Sequence, residues 1–363
     1  MKKGQIIIVT GGGTGGHLMP AIAMCEQLQE NSFRPLLVTD ARCEKYLPDK
    51  MEFEHFIIDV QRAGNIKKIF HSLCSWTYAI RDSINLIRKE KASIVIGCGG
   101  YSSIPLILAA LVLRKKIILH EQNAYVGRTN YILSYFADLL FLSFIHTVNI
   151  PLIDSKKVIW AGIPITKKHQ LGRAVKKSIF SSKEITLLVT GGSQGAFIFD
   201  RLIIEALKLL QPKFPEYHFK VIQQVRESTS SSLKEEYSKL HIEAEVANFF
   251  HNIEDNYLKA DIYIGRSGAS TINEIINYKI PSIFVPYPSA QNNHQYYNAM
   301  NLVEFNAAWL IEQKDLSAEI LSNKLEEIIK KKAAIAEMRG KLAELQMNST
   351  EIIIEEIHKI IDK

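Results

Sequence analysis

Glycine-rich turns and clusters of amides, imidazoles and carboxylates are where this sequence could do chemistry. Gly11-Gly12-Gly13-Thr14-Gly15-Gly16-His17 follows a β-branched run and opens a helical pattern. Glycine lets a ligand approach the backbone closely, and a helix start offers unpaired N–H groups and a partial positive charge to an anion. Gly97-Cys98-Gly99-Gly100-Tyr101-Ser102-Ser103 repeats the arrangement, with Pro105 well placed in a first helical turn. Gly191-Gly192-Ser193-Gln194-Gly195-Ala196 repeats it again. Plain tight turns are the alternative reading of each. In Arg266-Ser267-Gly268-Ala269-Ser270-Thr271-Ile272-Asn273-Glu274, small and hydroxyl residues crowd a helix start and an acid follows within its first turns. Such a segment can hold a diphosphate, with the Glu274 carboxylate accepting from vicinal ribose hydroxyls. A charge that only stabilises the helix start is the alternative. His120-Glu121-Gln122-Asn123 and Gln291-Asn292-Asn293-His294-Gln295 supply groups that both donate and accept, as sugar hydroxyls require. Ordinary polar loops would look the same.

The first loop also fits G-x-G-x-x-G, and Asp40 stands at the end of the second apolar run. A nicotinamide dinucleotide site therefore stays open on this loop alone. Three such turns spread over two halves exceed what one dinucleotide needs. They suit a protein that grips two phosphorylated substrates.

The elements that must position these groups alternate between strand and helix. Runs at Gln5–Thr10, Leu36–Thr39, Ser93–Gly97 and Lys116–His120 read as strands, with helical patterns over Leu18–Glu30 and Ile104–Leu113. The pattern restarts with a strand at Glu184–Thr190 and a helix over Asp200–Leu210. It continues with strands at Phe219–Gln223, Asp261–Gly265 and Ser282–Val285. Thr229–Ser232 and Lys176–Lys183 read as surface loops. The sequence predicts two doubly wound α/β domains with parallel sheets, 1–162 and 163–340, joined near Ala161-Gly162-Ile163-Pro164. A charged helical tail, 341–363, is expected to pack back on the N-terminal domain.

The 363 residues suit about two cores, and 47% hydrophobic with 23% charged residues is ordinary for a globular chain. Cys25, Cys43, Cys74 and Cys98 lack C-x-x-C spacing and read as buried free thiols. Ile6–Val9 is too short for a signal-peptide core, and Leu139–Ile145 is a short buried strand rather than a membrane span. A cytoplasmic location is expected. The net charge of +6 permits an anionic partner, while no basic stretch interleaved with aromatics suggests nucleic acid.

Gly-Gly-Thr-Gly-Gly-His at 12–17, Gly-Gly-Tyr at 99–101, His-Glu-Gln-Asn at 120–123, Gly-Gly-Ser-Gln-Gly-Ala at 191–196 and Arg-Ser-Gly-Ala-Ser-Thr at 266–271 occur in this order. Together they resemble the bacterial peptidoglycan N-acetylglucosaminyltransferases, over roughly residues 5–312. The resemblance implies a GT-B fold, two Rossmann-like domains facing across a cleft. It implies transfer of N-acetylglucosamine from UDP-N-acetylglucosamine to undecaprenyl-pyrophosphoryl-muramoyl-pentapeptide, with inversion and a β-1,4 bond. The N-terminal domain would take the lipid-linked acceptor, and the C-terminal domain the donor. Other cell-wall synthesis proteins would be partners, and no cofactor is implied.

Carried over by position, Thr14, Gly15 and Gly16 match the loop that lines the cleft. Gly99, Gly100 and Tyr101 match the acceptor loop. Asn123 and Gln295 match donor-sugar contacts, and Ser193 a donor contact. Ala269, Ser270, Thr271, Ile272, Asn273 and Glu274 match the diphosphate and ribose segment, with Glu274 on the ribose. Phe250 stands where the family has isoleucine against uracil, with Ile253 nearby. The family's Gly-Asn-Pro-Val-Arg is replaced by Gly162-Ile163-Pro164-Ile165-Thr166, which lacks both asparagine and arginine. Another group must then serve the donor, or the donor binds more weakly.

The acceptor hydroxyl must lose a proton during transfer. An imidazole titrates near neutrality, so His17 is the expected general base and Glu121 the runner-up, the alternative being that a helix-start histidine only orients substrate. No Asp-x-Asp stands beside the donor loop, so no essential metal is expected. The rival classes are a non-enzymatic sugar-nucleotide sensor and an NAD-dependent epimerase. The first has no need of His17 and Gly99–Tyr101, and the second usually needs a Tyr-x-x-x-Lys pair, for which Tyr46-Leu47-Pro48-Asp49-Lys50 is the one match. Peripheral attachment to the anionic inner face of the cytoplasmic membrane is expected through residues 66–91. There Lys67, Lys68, Arg81, Arg88, Lys89 and Lys91 accompany Ile69, Phe70, Leu73, Trp76, Tyr78 and Ile80. An amphipathic helix with its apolar face in the core is the alternative.

Overall fold

The structure, a computed structural model, describes residues 4–48, 51–58, 60, 69–167, 169, 183–192, 197–250 and 252–362. Two compact units divide the chain, Met1–Lys167 with Met347–Lys363, and Lys168–Gln346.

In the first unit the elements run β1 (Ile6–Thr10), α1 (Gly15–Glu30), β2 (Arg34–Thr39), β3 (Glu54–Ile57), α2 (Ile69–Lys89) and β4 (Ile94–Gly97). They continue with α3 (Ile104–Val112), β5 (Lys116–Glu121), α4 (Arg128–Leu133), β6 (Leu139–Leu142) and β7 (Val158–Trp160). The strands form one sheet in the order β3-β2-β1-β4-β5-β6-β7, with every pairing parallel. β1 is a run of β-branched residues, which favour a pleated surface buried on both faces. Its side chains alternate accordingly. Ile7 and Val9 enter one core with Leu18, Ile22 and Leu28 of α1, while Ile8 enters the opposite core with Ile87 of α2 and Ile107 of α3. Each such side chain, fully buried, contributes roughly 1.5–3 kcal/mol. Thr10 pairs with both Val38 and Gly97, so β1 is the strand at which the winding reverses. Doubly wound sheets bind ligands beyond the carboxyl ends of the strands at such a point.

The second unit runs β8 (Glu184–Thr190), α5 (Phe197–Leu210), β9 (His218–Gln224), α6 (Glu227–Lys239), β10 (Glu243–Ala247), α7 (Ile253–Lys259) and β11 (Ile262–Gly265). Then come α8 (Ala269–Tyr278), β12 (Ser282–Phe284), α9 (His294–Val303), β13 (Trp309–Leu310), α10 (Ala318–Lys330) and α11 (Lys332–Glu344). Its sheet is again wholly parallel, in the order β10-β9-β8-β11-β12-β13, and reverses at β8. The doubly wound α/β class predicted from the strand–loop–helix repeats is therefore found in both units.

A last helix, α12 (Ser349–Ile361), belongs to the first unit. Ile353 and Ile357 join the core beneath Ile7 and Val9, and Thr350 Oγ1 donates to Gln27 Oε1 at 2.8 Å. One sequence reading is corrected here. Thr229–Ser232 is no loop but part of α6, because Leu233 and Tyr237, four residues apart, are buried and anchor the helix by one face. Most of the segment 176–183 lies outside the described residues. No helix among the described residues is long and apolar enough to cross a membrane.

Candidate active site

In the first unit, the loop after β1 and the loop after β4 meet at the winding reversal. Gly99 and Gly100 have φ of +83° and +78°, which a side chain rarely adopts. A Cβ on Gly100 would stand 2.5 Å from the Gly12 carbonyl oxygen, and one on Gly99 3.2 Å from His17 Nδ1. Only glycine lets the two loops approach this closely. α1 begins at Gly15, three residues before its apolar pattern, so His17 lies in the first turn. Thr14 is exposed at the N-cap without capping the helix through its side chain, and Gly15 has open space on its side-chain face.

β5 carries the third component to the same place. His17 Nδ1 lies 3.0 Å from Gln122 Oε1. Gln122 Nε2 lies 3.0 Å from His120 Nδ1 and donates to the His120 carbonyl at 2.9 Å. His120 Nε2 meets the Gly162 carbonyl at 2.8 Å. His120 is fully buried, and burial pushes its pKa down to about 4 against the pull of that carbonyl. Glu121 is also buried and has a different occupation. Its Oε1 accepts from the Asn123 N–H at 3.0 Å, and its Oε2 from the Gly127 N–H at 3.0 Å and Asn130 Nδ2 at 2.9 Å. The carboxylate braces the loop after β5 and orients the half-buried Asn123.

Asp40, the acid that kept a dinucleotide open, is wholly buried. It accepts from the Gly13 N–H at 2.6 Å, the Arg42 N–H at 3.1 Å and Arg42 Nε at 2.9 Å. With these bonds made, its carboxylate is not presented to a ribose. The guanidinium of Arg42 lies 4.6 Å over the Tyr101 ring, tying the turn after β2 to the loop after β4. Cys25, Cys43 and Cys98 are buried and free. Burial pushes the Cys98 thiol up to about 12. Among the described residues no group of three or more His, Cys, Asp and Glu side chains could hold a metal.

The second unit gathers the other predicted residues after β11. α8 starts at Ala269 with Gly268 at its N-cap, and the Ser270 Oγ is buried without a hydrogen-bond partner. Ile272 is a core residue, so only its backbone could meet a ligand. Thr271, Asn273 and Glu274 are half-buried. Glu274 Oε2 accepts from the Tyr257 hydroxyl at 2.6 Å, and Oε1 lies 3.6 Å from His169 Nε2. Burial raises the Glu274 pKa above the ordinary carboxylate range, opposed by His169 and the Tyr257 hydroxyl. Arg266 serves the scaffold: its guanidinium donates to the carbonyls of Val285 and Pro286 at 2.9 and 3.1 Å and to Gln313 Oε1 at 2.6 Å. Gln295 Oε1 accepts from the Tyr287 N–H at 2.9 Å, and its carbonyl accepts from Ser267 Oγ at 2.7 Å, which docks α9 against the start of α8. Phe250 and Ile253 are both half-buried at the approach to α7. Ser193 lies outside the described residues. Near the junction, Thr166 is half-buried, and Lys167 Nζ is held by Glu52 at 3.0 Å and Glu30 at 3.7 Å.

The structure thus brings His17, Gly99, Gly100 and the 120–123 segment together in one unit, and Ser270, Glu274 and Gln295 onto neighbouring elements of the other. Sequence reasoning missed Asn130, Tyr257 and His169 as supports. None of the three carries a local signal in the sequence.

Comparison with known proteins follows the same division. Residues 7–141 match the glycosyltransferase family 28 N-terminal domain, and 186–355 the glycosyltransferase family 28 C-terminal domain. A Rickettsia felis protein named UDP-N-acetylglucosamine–N-acetylmuramyl-(pentapeptide) pyrophosphoryl-undecaprenol N-acetylglucosamine transferase is 38% identical over 336 residues, covering 91% of each chain. One of the same name from Rickettsia massiliae is 36% identical over 350 residues, 91% of this chain and 92% of the other. Among solved structures, Acinetobacter baumannii MurG superposes with a TM-score of 0.77 at 26% identity, over 98% of this chain and 99% of that one. The UDP-GlcNAc 2-epimerase of Neisseria meningitidis reaches 0.66 at 14% identity over 98% and 100%, a likeness of fold alone.

Proposed function

The chain belongs to the MurG family of N-acetylglucosaminyltransferases, within glycosyltransferase family 28, and from that premise we propose how its residues carry the reaction. The protein transfers N-acetylglucosamine from UDP-N-acetylglucosamine to the lipid-linked muramoyl-pentapeptide acceptor of peptidoglycan synthesis.

The donor occupies the second unit. Its diphosphate sits at the N-terminus of α8, where unpaired N–H groups and the helix dipole meet the charge and the unpartnered Ser270 hydroxyl supplies a further donor. The ribose hydroxyls donate to Glu274, Gln295 and Asn123 serve the sugar, and Phe250 or Ile253 packs on the uracil. The acceptor occupies the first unit, with the N-terminus of α1 and the Gly99–Tyr101 loop meeting its pyrophosphate. The acceptor hydroxyl attacks the anomeric carbon as the bond to UDP breaks, inverting that centre. The hydroxyl proton passes to His17, and the departing charge is stabilised at the start of α8.

The observation that carries this reading is the position of His17, held by Gln122 where the two glycine loops meet. Glu121 is the poorer base because both of its oxygens already accept hydrogen bonds from the loop it braces. His17→Ala is expected to lower turnover about 10²–10⁴-fold with UDP affinity intact. Normal turnover with weakened acceptor binding would make His17 a binding residue.

Membrane attachment belongs to the same proposal, since the acceptor's lipid stays in the bilayer. On α2, Ala79, Ser83, Leu86 and Ile87 face the core, whereas Tyr78, Arg81, Arg88 and Lys89 are exposed. Exposed Leu111 and Val112 end the neighbouring α3, and exposed Arg114 follows it. Basic groups and apolar tips suit an anionic surface. Lys67 and Lys68 lie outside the described residues.

A further inference from the structure

The hydrogen bonds behind His17 determine which of its nitrogens can take a proton. The carbonyl of Gly162 can only accept, so His120 Nε2, 2.8 Å away, must carry a hydrogen. Buried His120 is neutral at working pH, with its pKa near 4, so its Nδ1 is a bare acceptor. Gln122 Nε2 donates to that nitrogen at 3.0 Å and to the His120 carbonyl at 2.9 Å. The amide cannot be reversed, because its oxygen would then stand 2.9 Å from another carbonyl oxygen. Gln122 Oε1 therefore faces His17 Nδ1 at 3.0 Å and requires a donor there.

We propose that Gly162, His120 and Gln122 form a tautomer relay that fixes the hydrogen of His17 on Nδ1 and leaves Nε2 as the lone pair that receives the acceptor's proton. Gln122 and His120 are positioning residues, neither touching substrate. The proposal rests on His17 being the base. It adds which atom acts and what selects it. The direction matters because an isolated neutral imidazole bears no such constraint, and a base with its hydrogen on the wrong nitrogen has no acceptor to offer. The relay also explains the burial of two polar side chains, His120 at 0% and Gln122 at 1% exposure, behind a half-buried one. Every polar atom in it is paired, as a buried network requires.

The other titratable groups on the surrounding elements are already committed. Glu121 is bound by Asn123, Gly127 and Asn130, and Asp40 by Gly13 and Arg42. The Cys98 thiol is neutral, its pKa near 12, and the Tyr101 ring lies against Arg42.

The primary test uses the unaltered protein. Nitrogen-15 NMR of the full chain, with the His17 resonances assigned by their loss in His17→Gln, should show hydrogen on Nδ1 and a bare Nε2 above the imidazole's titration. Hydrogen on Nε2 overturns the relay whatever the kinetics. In Gln122→Leu, which removes the acceptor facing Nδ1–H, the same spectra should show the hydrogen no longer held on Nδ1. Gln122→Leu should lower kcat about 5–10-fold, the value of one lost hydrogen bond, with the donor KM unchanged. A lowered kcat in Gln122→Leu with the His17 hydrogen still held on Nδ1 would mean that Gln122 only fills space, and would overturn the proposal. If His17→Ala retains full turnover, the base assignment fails, while the NMR result still reports the tautomer separately.

Discussion

Glu274→Ala separates donor recognition from scaffold support, because the carboxylate has buried partners as well as the proposed ribose contact. A charge-assisted hydrogen bond contributes about 1.5–3 kcal/mol, so losing the ribose contact should weaken UDP binding about 10–150-fold. The same change strips the Tyr257 hydroxyl, 4% exposed, of the acceptor it holds at 2.6 Å. An unsatisfied buried donor costs about 1–3 kcal/mol, so the variant should also unfold at lower denaturant concentration. That loss is tempered because burial already disfavours the charged carboxylate. Calorimetric titration with UDP and chemical denaturation of the unliganded protein read the two effects apart. Glu274→Ala combined with Tyr257→Phe should recover part of the stability and none of the affinity. Unchanged UDP affinity in a folded Glu274→Ala protein would refute the ribose assignment. Restored affinity in the double variant would show that the first loss came from a disturbed scaffold.

The raised pKa of Glu274 implies a pH dependence of donor binding. A carboxylate with a raised pKa gains its proton earlier as pH falls, so UDP affinity should weaken on acidification from a higher pH than for an ordinary glutamate. Titrations against Glu274→Gln isolate this from the titration of UDP itself, and parallel curves would contradict it. Gly100→Ala forces a Cβ to within 2.5 Å of the Gly12 carbonyl at a φ of +78°, so it should abolish most transfer while leaving UDP affinity unchanged. Retained transfer would mean that the two loops need not meet. Replacing Arg81, Arg88 and Lys89 with glutamate should reduce co-sedimentation with anionic vesicles, as should high salt, because each basic group near the surface contributes about 1 kcal/mol. Undiminished binding in both places the membrane contact elsewhere.

Much of this architecture is legible in local patterns. β1, β4, β8 and β11 are apolar runs that lead into glycine-rich turns, and such strands must be buried on both faces. β3, β7, β10 and β13 escape notice for a physical reason. β3 and β10 lie at sheet edges and carry residues such as Glu54, His55, Glu243 and Glu245, while β7 and β13 are only 3 and 2 residues long. The serines of α6 favour turns on their own, and only the core contacts of Leu233 and Tyr237 override that preference. In the site, residue types and motif order point to His17, Glu121 and Glu274. What those residues do depends on partners far away in sequence. Gln122 is 105 positions from His17, and Asp40 is 27 from Gly13. Periodicity carries no information about such pairings, and so the sequence could not distinguish Glu121 as a brace from Glu121 as a base.

Transfer by His17 can be followed by incubating the purified protein with radiolabelled UDP-N-acetylglucosamine and the undecaprenyl-pyrophosphoryl-muramoyl-pentapeptide acceptor and tracing label into the lipid fraction. Label should enter the lipid product with stoichiometric release of UDP, and be almost completely lost in His17→Ala. Release of UDP with the label left as free sugar, or transfer undiminished in His17→Ala, would contradict it.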